Sequence, residues 1–90
     1  MEILIFKKKN CEPCENLSQD LEGVNLPLNL IDIQNPDNLD ICEQYRIRKT
    51  PTVIFRDDFG NKVKQLNGKI DGSLSGELVI STYNKLLKNE

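Results

Sequence analysis

The apolar run EILIF, at positions 2–6 of this 90-residue chain, constrains the fold more than any other stretch. Successive side chains of a strand point to opposite faces of its sheet, so an unbroken apolar run must be covered on both faces. Such a strand lies inside a sheet that has helices packed on both sides. We therefore expect a layered α/β fold built around residues 2–6.

Apolar spacing, cap residues and turn residues predict the other elements. In chain order we expect a strand at 2–6, a helix from the cysteine pair to a C-cap at Gly23, a strand at 28–33, a helix capped by Asn35, strands at 51–55 and 62–66, and a last helix through 78–87. This β-α-β-α-β-β-α order predicts one domain, residues 1–90, with a mixed four-stranded sheet and helices on both faces.

Charge and cysteine usage narrow the classes of function. The formal net charge is -2, so we expect no binding to nucleic acid. The first residues, MEILIF, are apolar before they are basic and too few to span a bilayer, which is unlike a secretory signal or an anchor. Three cysteines, an odd and small number, disfavour a disulfide-stapled secreted scaffold. We expect a monomeric cytoplasmic protein that does not bind membranes.

The segment CEPC is the strongest chemical signal in the sequence. A thiol attacks as its thiolate, and the free N–H groups and dipole at a helix N-terminus stabilise that anion on Cys11. Cys14 lies one turn further on, on the apolar stripe, close enough to resolve a mixed disulfide formed on Cys11. Pro13 suits the first helical turn. We expect Cys11 to be exposed and to attack, and Cys14 to be sheltered.

Other interpretations of these residues stay open at this stage. The cysteine pair is also compatible with two small apolar residues in a turn, or with part of a metal site. A structural zinc site needs four ligands, and the sequence offers no histidine and one further cysteine, Cys42. Cys42 and Tyr45 fall on the apolar stripe of the second helix and are expected in the core. The lysines at 7–9 either favour the Cys11 thiolate or form a solvated strand end.

The motifs CEPC, YRIRKTPTVIF and IDIQNPD together resemble the thioredoxin family. The resemblance covers most of the chain and implies that family's fold. It also implies a cis proline at Pro51 facing the cysteine pair, with the backbone of Thr50 open to an extended substrate. A glycine near the active site would be Gly72 or Gly68, and the segment GSLSGEL favours Gly72. The resemblance thus implies a substrate-binding surface of Pro13, Thr50, Pro51 and Gly72.

The implied activity is reduction of protein disulfides by a Cys11/Cys14 dithiol, without a cofactor. The partners would be disulfide-bearing proteins and an electron donor, either a thioredoxin-reductase-like protein or glutathione. The alternative is a non-catalytic module of the same fold, or a glutaredoxin-like protein that holds a metal or iron–sulfur centre.

Three positions depart from the family pattern. Asn10 replaces a tryptophan, Glu12 replaces a small residue, and Ile5 replaces a buried aspartate, so the proton-transfer helper is missing. Because Glu12 disfavours a Cys11 thiolate, we expect a reduction potential at the reducing end of the family.

Overall fold

The computed structural model describes residues 1–68 and 74–88. Its elements are β1 (Glu2–Lys7), α1 (Glu12–Asp20), β2 (Leu28–Asp32), a 3-10 turn (Pro36–Asn38) that leads into α2 (Leu39–Gln44), β3 (Thr52–Arg56), β4 (Lys62–Asn67) and α3 (Gly76–Lys88). Their order is the one expected from the sequence. In the part of the chain described, no helix combines the length and hydropathy needed to cross a membrane.

The four strands form one mixed sheet in the order β2-β1-β3-β4. The two central strands, β1 and β3, are antiparallel, and Ile5 lies opposite Val53. β2 adds parallel to β1, with Leu30 opposite Ile5, and β4 adds antiparallel to β3. The apolar run of β1 is therefore an interior strand, which confirms the prediction made from its sequence.

Two apolar cores cover the two faces of the sheet, because alternate side chains of β1 and β3 point in opposite directions. One core joins the sheet to α1 and α3 and contains Ile3, Ile5, Leu17, Leu21, Val53, Phe55, Leu74 and Val79. The other core lies beneath α2 and contains Leu4, Phe6, Ile31, Tyr45 and Ile54. Burying each large apolar side chain stabilises the fold by about 1.5–3 kcal/mol. The fold is the predicted mixed sheet with helices on both faces.

Two helix boundaries differ from those expected. α1 ends at Asp20, and its C-cap is Leu21, whose backbone φ of -97° and ψ of 0° leave the helical range. Leu21 turns into the core, so Gly23, with φ +77°, lies in the following turn instead of at the cap. The side chain of Asn35 caps the 3-10 turn, where it accepts the Asp37 N–H, whereas the α-helix begins at Leu39 with Asn38 as its N-cap residue.

A close contact between Gly76 and Asp20 joins the start of α3 to the end of α1. The Gly76 backbone N–H donates to Asp20 Oδ2 at 3.2 Å. A Cβ atom at position 76 would lie 2.6 Å from Asp20 Cβ, which is too short for two carbon atoms. Glycine therefore lets the two helices approach where any larger residue would separate them.

Replacing this glycine should destabilise the protein although alanine is the better helix former. We expect Gly76→Ala to lower the free energy of unfolding by about 1–3 kcal/mol, because the added methyl group overpacks the contact with Asp20. The measurement is urea unfolding followed by circular dichroism. The control, Asn84→Ala on the exposed face of α3, should raise stability by about 0.5 kcal/mol. Gly76→Ala as stable as the control would contradict the packing argument.

Candidate redox site

A disulfide joins Cys11 and Cys14 at the N-terminus of α1, and their Cα atoms are 5.2 Å apart. Cys11 is the N-cap residue, with φ -114° and ψ 98°, and its carbonyl accepts the Glu15 N–H at 3.1 Å. Its sulfur accepts the Cys14 backbone N–H at 3.3 Å. Pro13 lies in the first turn. The helix N-terminus thus faces the Cys11 sulfur, as expected from the sequence.

The exposure of the two sulfurs differs less than expected. Cys11 is 6% exposed and Cys14 is 2% exposed, so both are buried. The prediction that Cys11 is exposed is wrong for this oxidised form, since the disulfide holds its sulfur over the helix end and Thr50 lies against it. Cys11 and Cys14 are therefore distinguished mainly by their positions at the cap and inside the helix.

The segment before β3 contacts the disulfide. The Thr50–Pro51 peptide bond is cis, as the family resemblance implies. The Thr50 hydroxyl donates to Cys11 Sγ at 3.6 Å, within the range for a sulfur acceptor. The Thr52 hydroxyl donates to the Lys49 carbonyl at 2.7 Å and holds the turn that presents Thr50. The Thr50 side chain therefore lines one side of the candidate site, whereas Pro51, which the resemblance places at the substrate-binding surface, is fully buried.

A glycine at the end of β4 packs on this proline. The Gly68 N–H donates to the Pro51 carbonyl at 2.9 Å. A Cβ atom at position 68 would lie 3.0 Å from Pro51 Cδ, so the contact is close. The register between β3 and β4 explains this contact, because Asn67 pairs with Thr52 and the residue after Asn67 therefore lies beside Pro51. Gly72, which the sequence favoured for the glycine near the site, lies outside the described residues.

Charges of both signs surround the pair. Glu12 and Glu15 are exposed in the first turn of α1. A cavity of about 410 Å³ beside Cys14 is lined by the lysines at 7–9, by Glu15 and by apolar and polar residues of α1 and β2. Ile5 is fully buried in the core of α1 and α3. In residues 1–68 and 74–88, no three carboxylate or thiol side chains are grouped as metal ligands would be.

Cys42, the third cysteine, is only half-buried and lies in α2, on the face of the sheet away from α1. The prediction that it is a buried core residue is wrong, since Cys42 also lines a cavity of about 390 Å³ together with Ile33, Leu39 and Ile47. Burial raises the pKa of the Cys42 thiol above its ordinary value. Cys42 packs against the second core without belonging to its buried centre.

Solved structures resemble this chain over most of its length, whereas no protein-family model and no curated protein matches it. Thioredoxin 1 of Thermosipho africanus aligns with a TM-score of 0.73 at 23% identity, covering 98% of this chain and 96% of that one. A thioredoxin of Malassezia sympodialis aligns at 0.70 and 18% identity, covering 92% and 71%. A thioredoxin of Thermus thermophilus aligns at 0.65 and 16% identity, covering 94% and 72%. The chain therefore has the thioredoxin fold.

The pH dependence of Cys42 alkylation should reveal its partial burial. In the oxidised protein Cys42 is the one free thiol of the three cysteines in the sequence. Burial disfavours the thiolate, so the rate of reaction with iodoacetamide should rise at a higher pH than for an ordinary cysteine, whose pKa is about 8.5. The same titration in urea provides the control. A folded-state midpoint at or below the urea value would contradict this placement.

Proposed function

We propose that this chain, which has the thioredoxin fold, is a thiol-disulfide oxidoreductase that reduces protein disulfides through Cys11 and Cys14. The observation that carries the proposal is the disulfide itself, held at the N-terminus of α1 and in contact with Thr50 beside the cis Pro51. In this arrangement the Cys11 sulfur faces the N–H groups of the helix, and the Cys14 sulfur lies within bonding distance of the Cys11 sulfur. A redox role is the simplest chemistry for such a pair.

In the first step the reduced protein attacks its substrate. The Cys11 thiolate bonds to one sulfur of the substrate disulfide, the substrate S–S bond breaks, and the departing sulfur takes the electron pair and a proton. The Cys14 N–H and the Thr50 hydroxyl, which lie 3.3 and 3.6 Å from Cys11 Sγ in the oxidised protein, are the donors that stabilise the thiolate before attack. The product is a mixed disulfide on Cys11.

In the second step Cys14 releases the substrate. Its thiolate attacks Cys11 Sγ, the mixed disulfide breaks, and the second substrate sulfur leaves with its electron pair and takes up a proton. Two electrons and two protons have then passed to the substrate. Ile5 cannot accept the Cys14 proton, so that proton goes to water or to the departing sulfur. A thioredoxin-reductase-like protein or glutathione then reduces the Cys11–Cys14 bond again.

The backbone of Thr50 positions the substrate. An extended segment that carries the substrate disulfide pairs with the Thr50 backbone as an added strand, with its sulfur directed at Cys11. Pro13, which is half-buried in the first turn of α1, forms an apolar side of this surface, and Pro51, which is fully buried, holds Thr50 in position beside Cys11. The reaction takes place in a reducing compartment, the cytoplasm, where electron donors keep the dithiol available.

Replacing each cysteine by serine should block the reaction at a different step. Cys11→Ser should abolish reduction of insulin disulfides, because a hydroxyl supplies almost no nucleophilic anion at neutral pH. Cys14→Ser keeps the attacking sulfur but cannot resolve the intermediate, so substrate should accumulate on Cys11 as a covalent adduct detected by mass spectrometry. Cys42→Ser is the control and should retain activity.

Three results would contradict the proposal. An adduct on Cys14, or trapping by the Cys11→Ser protein, would reverse the assigned roles. A reduced wild-type protein that turns over no disulfide and contains one metal ion per chain would instead favour the metal-binding alternative.

Glu12 should lower the reduction potential. Its carboxylate lies in the first turn of α1, where a negative charge opposes a thiolate on Cys11 and so favours the disulfide. We expect Glu12→Gln to raise the potential by about 5–20 mV, measured by equilibration with glutathione at low salt. Glu22→Gln, beyond the far end of α1, is the charge-matched control and should leave the potential unchanged. A lower potential in Glu12→Gln would show that the sign is wrong.

A further inference from the structure

A strongly basic cavity adjoins the turn that contacts the disulfide. It measures about 300 Å³ and is lined by Arg46, Arg48, Lys49, Thr52, Gln65, Asn67 and Gly68. In residues 1–68 and 74–88, no carboxylate lines this basic cavity. A neighbouring cavity, which Arg46 and Arg48 also line, does contain one acidic residue, Glu43. Among the described residues, three positive charges therefore line this space and no negative charge does.

A chain of hydrogen bonds orients the two amide side chains that line the basic cavity. Lys62 Nζ donates to Gln65 Oε1 at 2.9 Å, and Gln65 Nε2 donates to Asn67 Oδ1 at 2.9 Å. Because the oxygen of Asn67 is used in this way, its NH₂ group remains as a donor. The cavity thus combines cationic and neutral donors, which is the composition that suits a carboxylate.

The basic cavity lies within reach of a substrate bound at Thr50. Lys49 directly precedes Thr50, and Gly68, which also lines the cavity, donates its N–H to the Pro51 carbonyl. An extended peptide advances about 3.3 Å per residue, so a side chain two or three residues from the substrate cysteine lies about 7–10 Å from the reacting sulfur. Arg48 lies two residues before Thr50, so their Cα atoms are at most about 7 Å apart.

We infer that the basic cavity binds an acidic side chain of the substrate, so that the protein prefers disulfides in acidic peptide segments. The inference rests on the proposed function and adds a substrate class to it. The carboxylate of an aspartate or glutamate near the substrate cysteine forms ion pairs with Arg48 and Lys49 and accepts a hydrogen bond from the Asn67 NH₂ group. Because the cationic residues of the basic cavity all precede Thr50 in the chain, an acidic residue contributes on one side of the substrate cysteine and not on the other.

The test compares disulfide peptides of equal length that carry glutamates before the reacting cysteine, glutamates after it, glutamines at both places, or lysines at both places. At about 10 mM salt, kcat/KM for one of the two glutamate peptides should exceed that for the glutamine peptide by about three- to tenfold. The advantage should largely disappear at about 500 mM salt, where exposed charges are screened. The lysine peptide should be the poorest substrate.

Charge-matched variants separate the cavity from the overall field of the protein. Arg48→Gln/Lys49→Gln removes two positive charges from the basic cavity and should abolish the preference for glutamate while leaving kcat/KM for the glutamine peptide within about twofold of wild type. Lys64→Gln/Lys85→Gln removes two charges elsewhere, on β4 and α3, and should retain the preference. The ratio between peptides is informative even if either variant is less stable.

Each outcome bears on one claim. Equal rates for the glutamate and glutamine peptides, or equal gains from both glutamate placements, would overturn the assignment of the cavity and leave the proposed function intact. A preference lost in the Lys64/Lys85 variant would also overturn it. If no peptide is reduced, the proposed function fails. The cavity assignment is then tested alone by measuring, with fluorescence anisotropy, the binding of peptides in which serine replaces cysteine. Tighter binding of the glutamate peptides than of the glutamine peptide would support the assignment, and equal binding would refute it.

Discussion

The burial of β1 on both faces is the constraint on which the rest of the structure depends. Its apolar residues belong alternately to the core of α1 and α3 and to the core of α2, so β1 can only be an interior strand. β3 pairs antiparallel with it, and Phe6 lies opposite Thr52. The C-terminal end of β1 therefore lies next to the N-terminal end of β3, at the same end of the sheet. This pairing brings Cys11, which follows β1, to Thr50 and Pro51, which precede β3.

The N-terminus of α1 provides the second part of the environment of Cys11. Cys11 is the N-cap of α1, so its sulfur lies where backbone N–H groups have no partner within the helix. The side chain of Thr50 approaches the same sulfur from the other side. Neither contact uses an acidic or basic side chain. Among the described residues, the hydrogen bonds to the Cys11 sulfur therefore come from one backbone N–H and one hydroxyl.

The features that could be predicted from the sequence are those that depend on local pattern. The run at 2–6 identified the interior strand, and CEPC between a strand and a helical stripe identified the cysteine pair. What could not be predicted depends on contacts between distant segments. The apolar stripe of the second helix predicted that Cys42 faces the core, but not how far its side chain is buried. Sequence alone also missed that Thr50 shields Cys11, and the closeness of Gly68 to Pro51 requires the β3–β4 register.

The order of the strands has a consequence for how the protein behaves among copies of itself. β2 and β4 form the two outer edges of the sheet, where unpaired backbone groups invite another chain to add a strand. β4 carries Lys62 and Lys64, both exposed, which repel a second copy of the same edge. Between copies of the protein, these lysines thereby disfavour the same kind of strand addition that we propose for substrates at Thr50 and that in excess leads to aggregation.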